Sequence, residues 1–348
     1  MFTQKLLSWY SDNGRQLPWR ETSDPYFIWL SEIILQQTRI EQGLDYYHRF
    51  VTDYPTIHHL AAASEQQVLK SWQGLGYYSR ARHLHAAARY IVSELNGCFP
   101  DTYDTILRLP GVGRYTAAAI ASFAFHLPYP VIDGNVYRFA ARYFGLFTPI
   151  ATTAAYSQFE QRLRPLIDSR HPDLFNQAIM DFGSLQCRPS NPACHNCIFQ
   201  QECFAFREGK VEQLPVRQPP VTIQTRHFYY IDVRIDHQFL VCQRPAGDIW
   251  QGLYEFPLIE TPKAISSKQL LLIIRQQVTE WLGAQPLSIK LGPAMRHQLT
   301  HRTIQAQFLQ AKYVDTPPLL PQNMRLIEAS ELKTLPISRL IDRYLSQL

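Results

Sequence analysis

Apolar residues recur three and four positions apart over most of residues 1–205, with Gly, Pro and Asp between the runs. That spacing lines one face of an α-helix and predicts helices over 65–72, 79–95, 115–125, 136–144, 154–167 and 174–185. An earlier helix is announced by Asp24-Pro25, a capping residue followed by Pro at the first helical position. The segment it starts, 26–35, is apolar on nearly every side and must be buried. From 207 to 225 the periodicity stops, and a polar, Pro-rich stretch reads as a linker. Beyond it, 228–235 and 238–244 have the composition of two strands joined at Asp236-His237. A helix over 267–282, a strand over 304–314 and a helical stretch from Ala329 follow. The chain therefore divides into a mostly α half, 1–206, and an α+β half, 226–348.

Composition supports two packed cores: 46% of the 348 residues are hydrophobic and only 18% are charged. No apolar run approaches the length that spans a bilayer, and the first residues lack the marks of an export signal. A cytoplasmic, monomeric protein with no membrane partner is expected. The net charge of +5 is unevenly placed. Nineteen Lys and Arg balance nineteen Asp and Glu over 1–216, whereas 217–348 carry fifteen against ten. Any binding of nucleic acid by the helical half must then come from local cations and backbone N–H groups.

Four of the six cysteines fall within seventeen residues, as Cys187-x6-Cys194-x2-Cys197-x5-Cys203. Four thiolates so close can surround one soft metal centre, either a zinc ion or an iron–sulfur cluster. Cys98 and Cys242 stand alone and read as plain thiols.

Three further features carry candidate chemistry. Leu109-Pro110-Gly111-Val112-Gly113 lies between two helices, and its glycines permit a tight turn with N–H groups free for an anion such as phosphate. The bland reading is an ordinary helix–helix turn. Twenty residues after Gly113, Val131-Ile132-Asp133-Gly134-Asn135 sets a carboxylate beside a flexible glycine. Asp133 could cap the next helix, or Asn135 could do so and leave Asp133 for chemistry. Glu32 lies inside the apolar segment 26–35, where a carboxylate is costly unless paired or protonated. It is either half of a buried ion pair or a general acid.

The cysteine spacing, the Leu-Pro-Gly-Val-Gly hairpin and the downstream Val-Ile-Asp-Gly-Asn resemble, in order and separation, the helix-hairpin-helix DNA glycosylases. Trp29-Leu-Ser-Glu32-Ile-Ile-Leu-Gln-Gln37-Thr38, Gly74-Leu-Gly-Tyr77-Tyr78-Ser-Arg80 and Phe175-Asn-Gln177-Ala-Ile-Met-Asp-Phe-Gly183 narrow the resemblance to the adenine DNA glycosylase family. The resemblance implies a 4Fe–4S cluster on Cys187, Cys194, Cys197 and Cys203. It implies removal of adenine mispaired with 8-oxoguanine or guanine in double-stranded DNA. Glu32 would protonate the base, Asp133 would stabilise the sugar cation, and Tyr115 and Asn135 would orient them. Trp19, Arg20 and Gln177 would line the adenine pocket. Gln37 and Tyr77 would enter the duplex, and Gly111 and Gly113 would contact its backbone. Members that also cut the backbone place a Lys directly after Gly-Val-Gly-Arg; here Tyr115 stands there, and a phenol cannot form a Schiff base.

Residues 226–348 resemble the Nudix-like domain of the same family, on Gln243-Arg244-Pro245 and the run Gly247-Asp248-Ile249-Trp250-Gln251-Gly252-Leu253-Tyr254-Glu255-Phe256-Pro257. The segment comparable to the metal helix of Nudix hydrolases lacks their acidic cluster, so no pyrophosphatase activity is expected. The lesion-reading loop, usually His-x-Phe-Ser-His, here reads His297-Gln-Leu299-Thr300-His301. Thr300 and His301 are the candidates for that role, with Leu299 in place of an aromatic. The rival readings are a glycosylase-lyase for oxidised pyrimidines and a non-catalytic iron–sulfur DNA sensor.

Overall fold

The structure, a computed structural model, describes residues 2–150, 152–218, 223–314 and 317–348. Its first helices are α1 (Phe2–Asn13), α2 (Pro25–Ile34), α3 (Ile40–Asp53), α4 (Ile57–Ala62), α5 (Glu65–Ser71) and α6 (Ser79–Glu94). Next come α7 (Tyr103–Leu107), α8 (Arg114–Phe125), α9 (Gly134–Phe144), α10 (Thr153–Leu163), α11 (Pro172–Asp181) and α12 (Phe204–Arg207). The remainder is β1 (Gln224–Ile235), β2 (Gln238–Gln243), β3 (Tyr254–Glu255), β4 (Leu258–Thr261), α13 (Ser267–Leu282), β5 (Ser288–Gln298), β6 (Arg302–Tyr313), β7 (Met324–Glu328), α14 (Ala329–Leu332) and α15 (Arg339–Leu345). Two compact units result: Met1–Ala62 with His83–Pro219, and Ala63–Arg82 with Pro220–Leu348. The division falls inside α6, after its first turn. Nothing in the helical periodicity of 63–82 sets that segment apart from its neighbours.

In the helical unit, α2 begins as its sequence predicts: the Asp24 carboxylate accepts from the Tyr26 N–H at 2.8 Å and Pro25 opens the helix. Eight of its ten residues are buried, Trp29, Leu30 and Ile34 completely. Its close neighbour α8 presents Ala117, Ala118, Ala119 and Ala121, all fully buried, and small side chains let the two backbones approach. A second cluster joins Phe139, Phe159, Phe175, Phe182 and Phe199 from α9, α10, α11 and the cysteine-bearing segment. Each such ring contributes about 1.5–3 kcal/mol on burial. The segment expected to be one helix over 154–167 stops at Leu163 and tightens into a 3-10 turn, because Pro165 has no N–H to donate. At its end α11 widens into a π turn over Phe182–Gln186, which delivers Cys187.

The second unit is a mixed sheet in the order β3-β2-β1-β6-β5, with β4 added to β1 and β7 to β2; β1 and β6 run parallel. β1 is buried on both faces by alternation. Tyr229, Ile231 and Val233 meet Leu270, Ile274, Val278 and Leu282 of α13, while Phe228 and Tyr230 meet Leu340, Ile341 and Tyr344 of α15. The β1–β2 hairpin turns at Asp236-His237 as expected, with Asp236 at φ +50°. β5 has no counterpart in the expected elements. It is an edge strand, buried only at Met295, and a register shift between Leu291 and Ala294 accommodates Gly292-Pro293. No alternation marks it in the sequence. α13 carries one acidic residue, Glu280.

Candidate active site

A cavity of about 460 Å³ opens in the helical unit, lined among others by Trp19, Arg20, Glu32, Tyr115, Asp133, Asn135 and Gln177. Its size is within the range of small-molecule sites. Glu32 reaches it from within the most apolar helix of the chain. Burial pushes the Glu32 carboxyl up to about 7; a hydrogen bond from Tyr115 opposes the rise, the Asp133 charge adds to it and Arg20 opposes it. Burial, with the Glu32 and Asp133 charges, also raises the Tyr115 phenol far above its ordinary value, so Tyr115 stays a donor. It stands at the second position of α8, immediately behind the hairpin.

Asp133 caps α9. Its Oδ1 accepts from the Val136 N–H at 2.7 Å and its Oδ2 from Asn135 Nδ2 at 2.7 Å. The alternative that Asn135 caps the helix and frees Asp133 is therefore wrong. Asp133 precedes the first helical residue and can reach the third N–H, whereas Asn135 is already within the first turn. Capping does not disable the carboxylate, since each oxygen can accept again. Burial raises the Asp133 pKa above its ordinary value, and the donors from Val136 and Asn135 with the nearby Arg138 limit that rise without cancelling it. Glu32 has one such donor. Of the two carboxyls, Asp133 is the one equipped to hold a charge.

Arg138 ties this corner to the cysteines. Its Nε donates to the Cys187 carbonyl at 2.7 Å and its Nη2 to Asn135 Oδ1 at 3.0 Å and to the Gly183 carbonyl. Asn176, fully buried on α11, accepts from the Val131 N–H and donates to the Tyr129 carbonyl, each at 2.9 Å, and so fixes the approach to Asp133.

Trp19 and Arg20 sit in a 3-10 turn, with Trp19 edge-on to Tyr47 at 5.2 Å. The Arg20 guanidinium grips the wholly buried Asp181 with two bonds of 2.8 and 2.9 Å, and Arg15 grips it as well. Gln177 accepts from the Tyr10 hydroxyl at 2.9 Å through Oε1. The sequence reading passed over Arg138, Asn176 and Asp181. The signal was present for Asp181: like Glu32, it is a carboxylate among apolar helical neighbours, here Ala178, Ile179 and Phe182.

The hairpin between α7 and α8 forms the tight turn expected of it, closed by the Val112 N–H on the Leu109 carbonyl at 3.1 Å. Gly111 has φ +75°, and a Cβ there would lie 2.5 Å from that of His83. Gly113 precedes α8 at the cap position with no side-chain cap, and a Cβ on it would touch nothing. Gln37 projects from the turn after α2, exposed, at φ +57°.

Tyr77, Thr300 and His301 belong to the second unit. Tyr77 is exposed, has φ +47° and shares a hydrogen bond with the Thr300 hydroxyl. Thr300 and His301 occupy the exposed β5–β6 turn, beside a cavity of about 560 Å³ that Tyr77 and Trp250 also line.

Cys187, Cys194, Cys197 and Cys203 surround one apolar hollow walled by Phe139, Phe182, Phe199 and Phe206, and all four are free thiols. Burial pushes Cys197 up to about 11, so only a positively charged centre would keep it a thiolate here. Among the described residues, no three His, Cys, Asp or Glu side chains converge on a single-ion site. Arg142 adds an N–H to Cys187 Sγ at 3.4 Å. The donor set and hollow fit an iron–sulfur cluster.

Residues 30–165 match the HhH-GPD superfamily of base excision DNA repair proteins, and residues 229–347 match the NUDIX domain. An adenine DNA glycosylase of Buchnera aphidicola subsp. Schizaphis graminum is 31% identical over 313 residues, spanning 87% of this chain and 85% of its own. The human adenine DNA glycosylase is 31% identical over 397 residues, 97% of this chain and 72% of that protein. The chain belongs to the adenine DNA glycosylase family. It is a DNA glycosylase of base excision repair, with a helix-hairpin-helix unit and a Nudix-like unit as the sequence implied. Among solved structures, a thermostable thymine-DNA glycosylase superposes with a TM-score of 0.56 at 28% identity, covering 60% of this chain and 95% of that one. Endonuclease III, trapped as a covalent intermediate with DNA, superposes with a TM-score of 0.52 at 21% identity, a likeness of fold.

Proposed function

We propose that this glycosylase hydrolyses the N-glycosidic bond of adenine mispaired with 8-oxoguanine or guanine in duplex DNA, without an efficient backbone-cleaving step. The observation that carries the mechanism is one cavity lined by two unlike carboxyls: Glu32, raised to about 7, and Asp133, held by several donors. Adenine is a poor leaving group as an anion. Turned out of the duplex into the cavity, it receives the Glu32 proton at N7 and departs as a neutral purine when the C1′–N9 bond breaks. The Asp133 charge stabilises the oxocarbenium ion at C1′. Water then adds at C1′ and returns a proton to Glu32, a division of labour familiar from glycoside hydrolysis. Tyr115 orients Glu32, Asn135 orients Asp133, and Trp19, Arg20 and Gln177 bound the base. With Tyr115 behind the hairpin, no amine is supplied at that position for a Schiff base.

Cys187, Cys194, Cys197 and Cys203 would hold one 4Fe–4S cluster, a centre that braces its loop and can exchange single electrons. Gly111 and Gly113 open the backbone of the hairpin to a DNA phosphate, and Gln37 stands exposed for the duplex. Tyr77, Thr300 and His301 are the candidates for reading the base opposite adenine. The test is strand scission after hot alkali on duplexes holding A:8-oxoguanine, A:G and A:T. Scission at adenine in the first two, with little adduct trapped by borohydride, is expected. A high-yield trapped adduct, or preference for an oxidised pyrimidine, overturns the reading.

A further inference from the structure

Arg15, Arg20 and Arg39 line the same cavity as Glu32, as does Glu41, and of the three guanidiniums Arg15 and Arg20 share one counterion. Left uncompensated, they would draw the proton off any carboxyl beside them, since a nearby cation favours the charged form. Behind them lies Asp181, wholly buried and outside the cavity lining. Each of its oxygens is committed. Oδ1 accepts from Arg20 Nη2 and from Arg15 Nε, both at 2.9 Å. Oδ2 accepts from Arg20 Nη1 at 2.8 Å and from the Arg15 N–H at 2.9 Å. A buried carboxylate is costly, and this one persists because two cations and an N–H surround it. The same Arg20 nitrogen reaches the Tyr10 hydroxyl at 3.3 Å, and Tyr10 in turn donates to Gln177.

We propose that Asp181 is a positioning residue that sets the protonation of the active site: by neutralising Arg20 and Arg15 behind the cavity wall, it leaves Glu32 holding its proton. The inference rests on the reading of Glu32 as proton donor. Arg20 from the turn before α2, Tyr115 from α8 and Asp133 at the start of α9 are the groups whose charge or hydrogen bond reaches Glu32. Of these, Arg20 alone is a cation, and Asp181 is its counterion. Burial pushes Asp181 up, yet the bonds from Arg20 and Arg15 outweigh burial and hold it below the ordinary carboxylate value. Asp181 is therefore ionised wherever the enzyme works, and its charge is always present.

The experiment is the pH dependence of single-turnover adenine release from an A:8-oxoguanine duplex by the full-length protein with its metal centre. It compares wild type with Asp181→Asn, Arg15→Gln and Glu32→Gln. Asp181→Asn frees two cations, and the pH at which the rate falls to half should drop by about one to three units. Arg15→Gln removes a cation while Asp181 stays, and that midpoint should move the other way. A purely structural role lowers the rate at every pH and leaves the midpoint in place; that result in both variants overturns the inference. If Asp181→Asn fails to fold, the Arg15→Gln shift decides alone, and a midpoint that stays or falls is the contrary result. The underlying reading fails separately: Glu32→Gln would then release adenine at the wild-type rate.

Discussion

Glu32 shows how a single position sets both stability and activity. Its carboxyl has an ordinary pKa of 4.5 and about 7 in the fold, so the folded state binds the proton more tightly than the unfolded one. Stability is then fullest below the ordinary value and is lost as pH rises toward about 7. Glu32→Gln removes that loss. Chemical denaturation should find the variant more stable than wild type by on the order of 3 kcal/mol above about pH 8, and no different below about pH 4. Its adenine release should fall by about 10²–10⁴-fold. Tyr115→Phe takes away the hydrogen bond that restrains the rise, so the pH at which activity is lost should move upward. A fall would mean that Tyr115 does not donate to Glu32. The sequence made Glu32 legible because a carboxylate inside a wholly apolar helix is conspicuous. Asp181 carries the same signal more faintly: it lies on a helix whose apolar face is narrower, and its two arginines come from residues 15 and 20, far away in the chain.

At the scale of elements, the helix starts were the most legible part of the chain. Asp24-Pro25 begins α2 where the cap rule puts it, because capping is settled within four residues. β5 was invisible because its burial comes from β6, not from its own pattern. The Asp133 cap separates structure from chemistry. Asn caps about as well as Asp, so Asp133→Asn should keep α9 and its melting temperature nearly unchanged while single-turnover release falls by orders of magnitude. Matching losses of stability and rate would instead assign Asp133 to the fold alone. The hairpin offers a second case. Gly111→Ala forces a side chain onto His83 at a positive φ, at a cost of about 1–3 kcal/mol. DNA affinity should drop further than stability, as a filter-binding titration would reveal, whereas Gly113→Ala, with open space around it, should keep the fold.

For the molecule as a whole, the α half and the α+β half were readable from periodicity alone, while the placement of 63–82 was not, since a helix pattern does not say which core its apolar face joins. Within the second unit Tyr77 bonds Thr300, although 223 residues separate them. Thr300→Val leaves that partner unmade and should reduce preference for 8-oxoguanine over guanine opposite adenine more than it reduces adenine release. Equal loss on both mispairs would remove Thr300 from lesion reading. Cys197→Ser should weaken DNA binding and the order of the loop whose Cys187 carbonyl accepts from Arg138, measured by affinity and thermal melting. The account as a whole stands on a neutral Glu32 meeting a charged Asp133 in one cavity. Single-turnover adenine release by wild type, followed from about pH 5.5 to about pH 9, tests this most directly. The account predicts a rate that declines with a midpoint near 7 and is abolished in Glu32→Gln; a rate that rises through that range, or survives the substitution, would contradict it.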